Sequence, residues 1–446
     1  MTSVRRVAAA LVILFIDLAG RSVIDKVLAL TGDASRVAVW AQLQSVVELV
    51  CAVSSAGVLA GLTVLVAQAT SGFEERRLLR AALGLSILIS GGLAILIVAC
   101  ARPASTGLGQ SDMGPGLIAL AAVAGALCVM PATLNAYWLG KSRQPQMLWL
   151  ALLGALSVAV IAMAALAGAA TEGLMTVQVA MLALGSGLVW RYLRRVTGRI
   201  PTAVARFAWP AVAAPAAEAS VMSVASEARS GRALLRPLLR FIPVGLTIGV
   251  MSPASMLLMR AGLAESLSWH EVGHFQALWR LGDWVAALAS GMLSLVFLPR
   301  LSARWGSDRF LLELRRAAVV VLAPAAGLLA LLFLAQAWLL ALLYDARFVV
   351  SEAAAAWFLG GSWVRIVSWV FLYGLFAAHR TRTIMLGEFL SLPLFAALLW
   401  LGRDGMTLER ASMLYLVTYL VYAIVNAIGL ALPGSRPAPV QSLPQS

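Results

Sequence analysis

The chain has 446 residues, of which 61% are hydrophobic and only 12% charged, and its formal net charge is +14. Soluble domains carry about 25% charged residues, so this composition excludes a soluble globular protein and predicts an integral membrane protein. A basic excess could suggest a nucleic-acid partner. In a membrane chain it more often reflects basic residues collected on the cytoplasmic side, so we predict no nucleic acid.

Twelve apolar runs follow one another along the chain, each long enough to cross a bilayer as a helix. They cover roughly residues 7–30, 37–66, 81–101, 116–138, 147–168, 173–193, 238–259, 272–298, 317–343, 352–378, 383–401 and 411–431. The first run follows Arg5 and Arg6 and has no small-residue cleavage pattern. We interpret it as the first membrane helix rather than a signal peptide.

The basic residues between the runs predict the orientation of the chain in the membrane. Alternate loops and the two terminal segments hold 24 of these residues, and the opposite loops hold 6. The six are Arg36, Arg102, Arg260, Arg347, Arg403 and Arg410. Basic loops stay on the cytoplasmic side, so both termini of this multi-pass protein are predicted to be cytoplasmic.

The domain organisation is predicted from the longest connection between runs. We expect an N-terminal six-helix bundle at 1–193, a cytoplasmic linker rich in alanine and serine at 194–237, a C-terminal six-helix bundle at 238–432 and a disordered cytoplasmic tail at 433–446. Faint echoes relate the halves, such as Gln44 to Gln276 and Lys141 to Arg380. Six spans return the chain to its starting side, so the halves form a parallel pseudo-twofold repeat.

Charged side chains lie deep inside several of the predicted spans. The basic ones are Arg21, Lys26, Arg280 and Arg365, and the acidic ones that we associate with them are Asp17, Asp25, Glu48 and Asp283. At about 1.5 Å per residue, Arg21, Glu48, Arg280 and Arg365 fall in one slab from mid-membrane to the outer half. A charge at that depth costs about 2.5–3.5 kcal/mol and must face a partner or a hydrated cavity.

Two interpretations of these charges remain open. The spacing of Asp17, Arg21 and Asp25 and that of Arg280 and Asp283 allow internal salt bridges that only neutralise one another. Alternatively the arginines line an aqueous cavity and bind an anion such as a phosphate, which the planar guanidinium suits. Lys26 would join such a site or reach the membrane surface. Other polar residues that could line the cavity are Gln44, Asn135, His274 and Gln276.

The sequence predicts no catalytic site, metal site or cofactor. It carries no P-loop, no GxSxG and no CxxC pattern, and its three cysteines lie inside apolar runs. We therefore expect a transporter rather than an enzyme.

Two stretches resemble a known family, at about Trp40–Gln68 and Trp269–Ser302. The second contains Trp279-Arg280 and ends in Phe297-Leu298-Pro299-Arg300-Leu301. Together with the twelve-run layout they resemble the Wzx-type flippases of the multidrug/oligosaccharidyl-lipid/polysaccharide exporter (MOP) superfamily, polysaccharide branch. The long linker departs from that pattern, and Arg365 matches no family position.

The resemblance implies an all-α fold of twelve transmembrane helices in two six-helix bundles, similar to MATE and MurJ, around a V-shaped central cavity. It also implies alternating access in the bacterial inner membrane. The implied substrate is an undecaprenyl-pyrophosphate-linked oligosaccharide for O-antigen, common-antigen or exopolysaccharide assembly. Membrane lipids, a polymerase and a chain-length regulator are implied partners. Arg21 and Arg280 fall on the first and eighth helices, where related lipid II flippases place arginines at the pyrophosphate.

Three other functions remain open. A MATE-like cation-coupled drug antiporter would share the fold but centre on carboxylates, for which Asp17, Glu48 and Asp283 are available. A membrane glycosyltransferase or polymerase would need large periplasmic loops, and those predicted here are short. A scaffold without transport would not explain charges held at mid-membrane.

Overall fold

The computed structural model describes residues 2–55, 57–69, 71–107, 114–141, 143–197 and 242–432. Every regular element in those ranges is helical, and they contain no β-strand. The all-α prediction is therefore confirmed, as expected for a backbone that must satisfy its own polar groups in hydrocarbon. Most of the predicted linker and all of the predicted tail lie outside the described residues.

The helices closely follow the apolar runs of the sequence. The N-terminal ones are α1 (Thr2–Thr31), α2 (Ala34–Ser55), α3 (Val58–Gln68), α4 (Gly72–Ala99), α5 (Ala101–Gly107), α6 (Pro115–Gly140), α7 (Gln144–Leu166) and α8 (Thr171–Thr197). The later ones are α9 (Ile242–Ser266), α10 (Trp269–Met292), α11 (Leu298–Arg304), α12 (Arg309–Leu334), α13 (Gln336–Leu343), α14 (Glu352–Ala377), α15 (Thr381–Phe389), α16 (Leu392–Leu401) and α17 (Leu408–Ala431).

In the described part of the chain, ten helical segments are long and apolar enough to cross a membrane. The helices α1 and α9 are also long, but they are not among those ten. The structure therefore shows a multi-pass membrane protein. The count of twelve spans and their division into two six-helix bundles stay predictions.

Three of the predicted runs are interrupted in the structure. The run 37–66 divides into α2 and α3 around Gly57, whose φ of 70° is a left-handed conformation that glycine adopts without steric cost. The run 317–343 breaks at Ala335 into α12 and α13, and the run 383–401 breaks between Phe389 and Leu392. Apolar composition does not reveal such breaks, because both sides of each break are equally hydrophobic.

The helix that carries Arg280 continues further than the sequence suggested. A π-helical turn at Leu293–Phe297 joins α10 to α11, and Pro299 lies in the first turn of α11. Proline has no N–H to donate, and a wider turn before it accommodates the missing hydrogen bond. The segment LPRLS, expected to end the span, instead begins a further helical segment that runs to Arg304.

Contacts between Cα atoms group the described residues into two compact units. The first unit comprises the described parts of Met1–Arg280 together with Gln336–Val350 and Leu392–Leu408. In it, α2 packs on α6 and α9, α1 packs on α7, and α9 packs on α16. A buried apolar cluster, which includes Leu62, Leu79, Leu134 and Leu193, joins α3, α4, α6 and α8.

The second unit comprises Leu281–Ala335, Ser351–Ser391 and the described part of Glu409–Ser446. Its helix α14 packs on α11 and α12. The ring of Phe358 on α14 stacks on Tyr415 of α17 at 4.6 Å between centroids. The Cβ of any larger residue at Gly361 would lie 2.5 Å from the ring of Tyr415, so only glycine allows this close approach. The predicted domain boundaries at 193 and 238 stay a prediction.

Candidate functional site

Arg21 lies in the second half of α1, where it is held between two carboxylates. Its Nε donates to Asp17 Oδ2 over 3.2 Å and its Nη1 donates to Glu48 Oε1 over 2.9 Å. The side chains of Arg21, Asp17 and Glu48 are 45%, 59% and 47% exposed. Three half-exposed charges deep within apolar helices require a polar surrounding, because hydrocarbon would penalise each of them. This arrangement keeps a guanidinium accessible to an anion.

Asp25, one helical turn beyond Arg21, is bound by Arg280 of α10. Arg280 Nε donates to Asp25 Oδ2 over 2.6 Å, and the two side chains are 16% and 1% exposed. Arg280 also lies close enough to Arg21 for their positive charges to repel each other. The first unit therefore brings together the two arginines that the sequence placed in one slab.

The ion pairs in the structure differ from the salt bridges that the spacing along α1 and α10 allowed. Arg21 does bind Asp17, but its second carboxylate is Glu48 of α2 rather than Asp25. Arg280 binds Asp25 of α1, while Asp283 binds Arg365 of α14. The observed partners lie on neighbouring helices. Spacing of i, i+3 or i, i+4 reports only on contacts along one helix, so the sequence could not predict them.

Lys26 makes a backbone contact. Its Nζ donates to the carbonyl oxygen of Tyr344 over 2.6 Å. Tyr344 follows the last residue of α13, so the ammonium neutralises one of the carbonyl groups that a helix leaves unsatisfied at its C-terminus. The ammonium has two further N–H donors, and its predicted role in pyrophosphate binding stays a prediction.

Arg365 and Asp283 form a separate pair in the second unit. Arg365 Nη2 donates to Asp283 Oδ1 over 2.8 Å, with side chains 6% and 31% exposed. The guanidinium also lies 5.2 Å from the centroid of the Trp369 ring, in a cation–π contact. Arg365 is thus far less accessible than Arg21. Its predicted contact with pyrophosphate stays a prediction.

The four uncharged residues predicted for the cavity lie in different surroundings. Gln44 exchanges two hydrogen bonds with Gln178 of α8, at 2.8 and 3.0 Å. Asn135 is exposed on α6. Gln276 is buried, and its Oε1 accepts from the Nε and Nη2 of Arg260 at 3.2 and 2.9 Å. His274 is largely buried, and its Nδ1 lies 3.6 Å from Glu271 Oε2.

Arg260 is the most prominent residue that sequence reasoning assigned wrongly. It was counted in a loop because the apolar run ended at residue 259, but it lies inside α9 and is 5% exposed. Its Nη1 donates to the Ala41 carbonyl at 3.2 Å and to Ser45 Oγ at 2.6 Å, both on α2. A buried guanidinium that joins α2, α9 and α10 fixes the helices that present Glu48 and Arg280. Arg260 lies six residues before the end of α9, and this position would have marked it as a residue inside a helix only if that end had been predicted.

One sequence pattern was also overlooked. His270-Glu271-Val272-Gly273-His274 matches the HExxH spacing of zinc metalloproteases, in which the glutamate is a general base. The two histidine rings lie 4.7 Å apart, edge to face. Among the described residues no group of three potential ligands could hold a metal ion. The spacing therefore does not amount to a metal site in this part of the chain.

Two curated proteins share part of the sequence. The chain is 27% identical over 186 residues to the Lipid III flippase of Escherichia coli (strain K12), and it matches the Lipid III flippase of Shigella flexneri to the same extent. The aligned segment covers 41% of this chain and 44% of each relative, so it spans less than half of their length. No protein-family model matches the sequence.

Solved structures extend the likeness to almost the whole chain. An inward-facing multidrug resistance MATE family transporter of the MOP superfamily superposes with a TM-score of 0.69, covers 93% of this chain and 92% of its own, and is 12% identical. The chain has the fold of MOP-superfamily transporters. Lipid II flippase MurJ, in an inward closed conformation, superposes with a TM-score of 0.67, covers 96% and 88%, and is 11% identical.

These identities show the fold alone, and that fold is the MATE- and MurJ-like one that the sequence resemblance implied. The relatives are named as transporters and flippases rather than as enzymes of polymer synthesis, in line with the prediction from sequence.

Proposed function

We propose that the protein is a MOP-superfamily flippase. It carries an undecaprenyl-pyrophosphate-linked oligosaccharide from the cytoplasmic to the periplasmic face of the bacterial inner membrane. The observation that carries the proposal is the accessible Arg21, which Asp17 and Glu48 hold in the first unit with Arg280 beside it. The partial similarity to Lipid III flippases supports a lipid-linked cargo.

The physical problem of such a cargo explains why arginines are needed. A pyrophosphate must cross about 30 Å of hydrocarbon, and transferring an unpaired charge into that medium is prohibitive. A guanidinium offers paired donors that match phosphate oxygens and stays charged at any accessible pH. Two arginines in one unit can therefore replace part of the water that the head group loses.

The carboxylates give the site a way to release its cargo. In the structure Asp17 and Glu48 bind Arg21, and Asp25 binds Arg280. An arriving pyrophosphate competes with these carboxylates for the same N–H groups, and the carboxylates recover the arginines when the cargo leaves. The exchange keeps both guanidinium groups paired with an anion at either stage.

The proposal includes the arrangement of the chain in the membrane. Twelve spans form bundles at 1–193 and 238–432, joined by the linker 194–237, and both termini are cytoplasmic. The two bundles alternate access to the site, and the polymerase and chain-length regulator of the same pathway are candidate partners. Reporter fusions at Arg143 and Arg382 should report a cytoplasmic position, and a fusion at Ser266 a periplasmic one. A cytoplasmic signal at Ser266 would refute this arrangement.

A cation-coupled drug antiporter is the second candidate. The observation that favours it is that the side chains of Asp17 and Glu48 are each at least as exposed as that of Arg21, which lies between the two. Exposed carboxylates could bind a cationic drug or a coupling cation instead of holding an arginine. The fold does not discriminate, since MATE and MurJ superpose on the chain about equally well.

Deletion of the gene in the bacterium that carries it separates the two candidates. A flippase deletion should remove the full-length polymer and leave undecaprenyl-linked units accumulated with their sugars on the cytoplasmic side. An antiporter deletion should leave the polymer and the lipid-linked pool unchanged and raise sensitivity to cationic drugs. The latter result would replace the flippase proposal.

A further inference from the structure

The second unit contains a basic cavity that the proposed transport function does not use. The cavity has a volume of about 700 Å³, within the roughly 300–1,000 Å³ range of small-molecule sites, and lies beside α11 and α12. Arg304, Arg309, Arg315 and Arg316 line it together with Glu313. Four arginines and one glutamate leave a formal charge of +3 on its polar part.

Glu313 organises one side of this cavity. It is 1% exposed, and its Oε2 accepts a hydrogen bond from Arg304 Nη1. Its Oε1 lies 4.0 Å from Arg300 Nη1. Arg304 is therefore oriented by a buried carboxylate. By contrast, Arg309, Arg315 and Arg316 are exposed and form no ion pair with any residue in the described ranges.

The start of α12 adds to the positive potential. This helix of 26 residues begins at Arg309, and the side chain of Asp308 before it makes no capping hydrogen bond. The partial positive charge of the helix N-terminus thus lies at the same end as the arginines, where it favours an anion.

The rest of the cavity lining is apolar and exposed. Leu312 and Val319 are 66% and 68% exposed, and Val320 lies beside them. Residues 309, 312, 316 and 319 follow each other at three- and four-residue steps, so they share one face of α12. Val320 lies about 6 Å along the helix from Arg316. Leu312 lies between Arg309 and Arg316 on this face, and Val319 and Val320 follow Arg316 towards the middle of the helix. A lipid head group at the arginines would therefore have apolar side chains beside it for its acyl chains.

We propose that this cavity binds the phosphate head group of an anionic phospholipid, with the acyl chains along Leu312, Val319 and Val320. Basic pockets between membrane helices on the cytoplasmic side bind cardiolipin and related head groups by the same chemistry. The site lies on the side that the basic-residue bias predicts to be cytoplasmic. The bound lipid tethers α11 to α12 at the membrane surface.

The test measures thermal unfolding of the purified full-length protein in mixed micelles that contain cardiolipin, phosphatidylglycerol or phosphatidylethanolamine. The anionic lipids should raise the unfolding temperature of the wild type more than phosphatidylethanolamine does. The triple variant Arg309→Gln, Arg315→Gln, Arg316→Gln should lose this difference. The control Arg191→Gln, Arg195→Gln, Arg382→Gln removes three exposed arginines from the same predicted side outside the cavity and should retain it.

Each other result would overturn the proposal. A triple variant that keeps the wild-type shift, or a control that loses it equally, would show general charge attraction rather than a site. Equal stabilisation by inorganic phosphate would assign the cavity to a free anion. Preference for undecaprenyl pyrophosphate over cardiolipin would assign it to the transported lipid. If the triple variant does not fold, Arg309→Gln and Arg316→Gln are tested singly, and each should lose part of the shift.

Discussion

Arg21 and Arg365 occupy the same predicted slab of the membrane, yet their surroundings differ sharply. Arg21 is 45% exposed and shares two half-exposed carboxylates, Asp17 and Glu48. Arg365 is 6% exposed and binds the carboxylate of Asp283, while its guanidinium also contacts Trp369. An intramembrane arginine can therefore serve binding or stability, and its depth alone does not decide which. Exposure and the number of exchangeable partners do.

The largest effect on stability is expected at Arg365. Arg365→Ala removes the guanidinium that binds Asp283 and opens a cavity beside Trp369. Breaking a buried pair in this way costs about 3–5 kcal/mol. The unfolding temperature in detergent should fall sharply, and the yield of folded protein with it. The double variant Arg365→Met, Asp283→Leu removes both charges and should recover most of the loss. A double variant as unstable as Arg365→Ala would contradict the explanation by an uncompensated charge.

An intermediate effect is expected at Asp25. Asp25→Asn keeps the shape of a 1% exposed side chain but removes the negative charge that Arg280 binds. Hydrogen bonds to charged groups contribute about 1.5–3 kcal/mol, so a loss of about that size is expected in thermal or denaturant unfolding. Asp17→Asn, at a 59% exposed position, is the matched control and should cost far less. Equal losses at the two positions would show that burial does not govern these pairs.

The smallest effect on stability is expected at Arg21. Exposed ion pairs contribute about 0–1 kcal/mol to stability. The free energy of unfolding of Arg21→Ala should therefore lie within about 1 kcal/mol of the wild-type value. Its complementation of a deletion strain should nevertheless be lost, because the accessible guanidinium is the proposed phosphate ligand. Arg21→Lys should complement in part, since it keeps the charge but not the planar fork. Strong destabilisation of the Arg21→Ala variant would show that Arg21, like Arg365, stabilises the fold.

Much of the fold was predictable from the sequence because apolar runs of about 20 residues have few structural solutions in a membrane. The helices α6, α7, α14 and α17 follow their runs closely. The breaks at Gly57 and Ala335, and the π-helical turn before Pro299, were not predicted. They depend on local backbone geometry within uniformly apolar sequence, where hydropathy carries no signal.

The sequence identified several charges that lie together in the first unit, but not the partners that they bind. Their role as a site stays a prediction. Depth counting brought Arg21, Glu48 and Arg280 to one level, and the first unit places them together. Asp283 was expected to bind Arg280, but it binds Arg365. This pairing depends on how the helices pack across one another, which spacing along one helix does not report. Arg260 was missed because the apolar run ended at residue 259, whereas α9 continues to Ser266.

The central claim is tested most directly by reconstituted transport. Purified protein in liposomes is given an undecaprenyl-pyrophosphate-linked oligosaccharide, and the fraction of sugar that reaches the opposite leaflet is followed over time. The wild type should flip the lipid. Arg21→Ala and Arg280→Ala should each abolish flipping, and the double variant should be little worse than either, because both arginines bind one anion. Wild-type flipping by both alanine variants would contradict the account and leave these arginines with a structural role only.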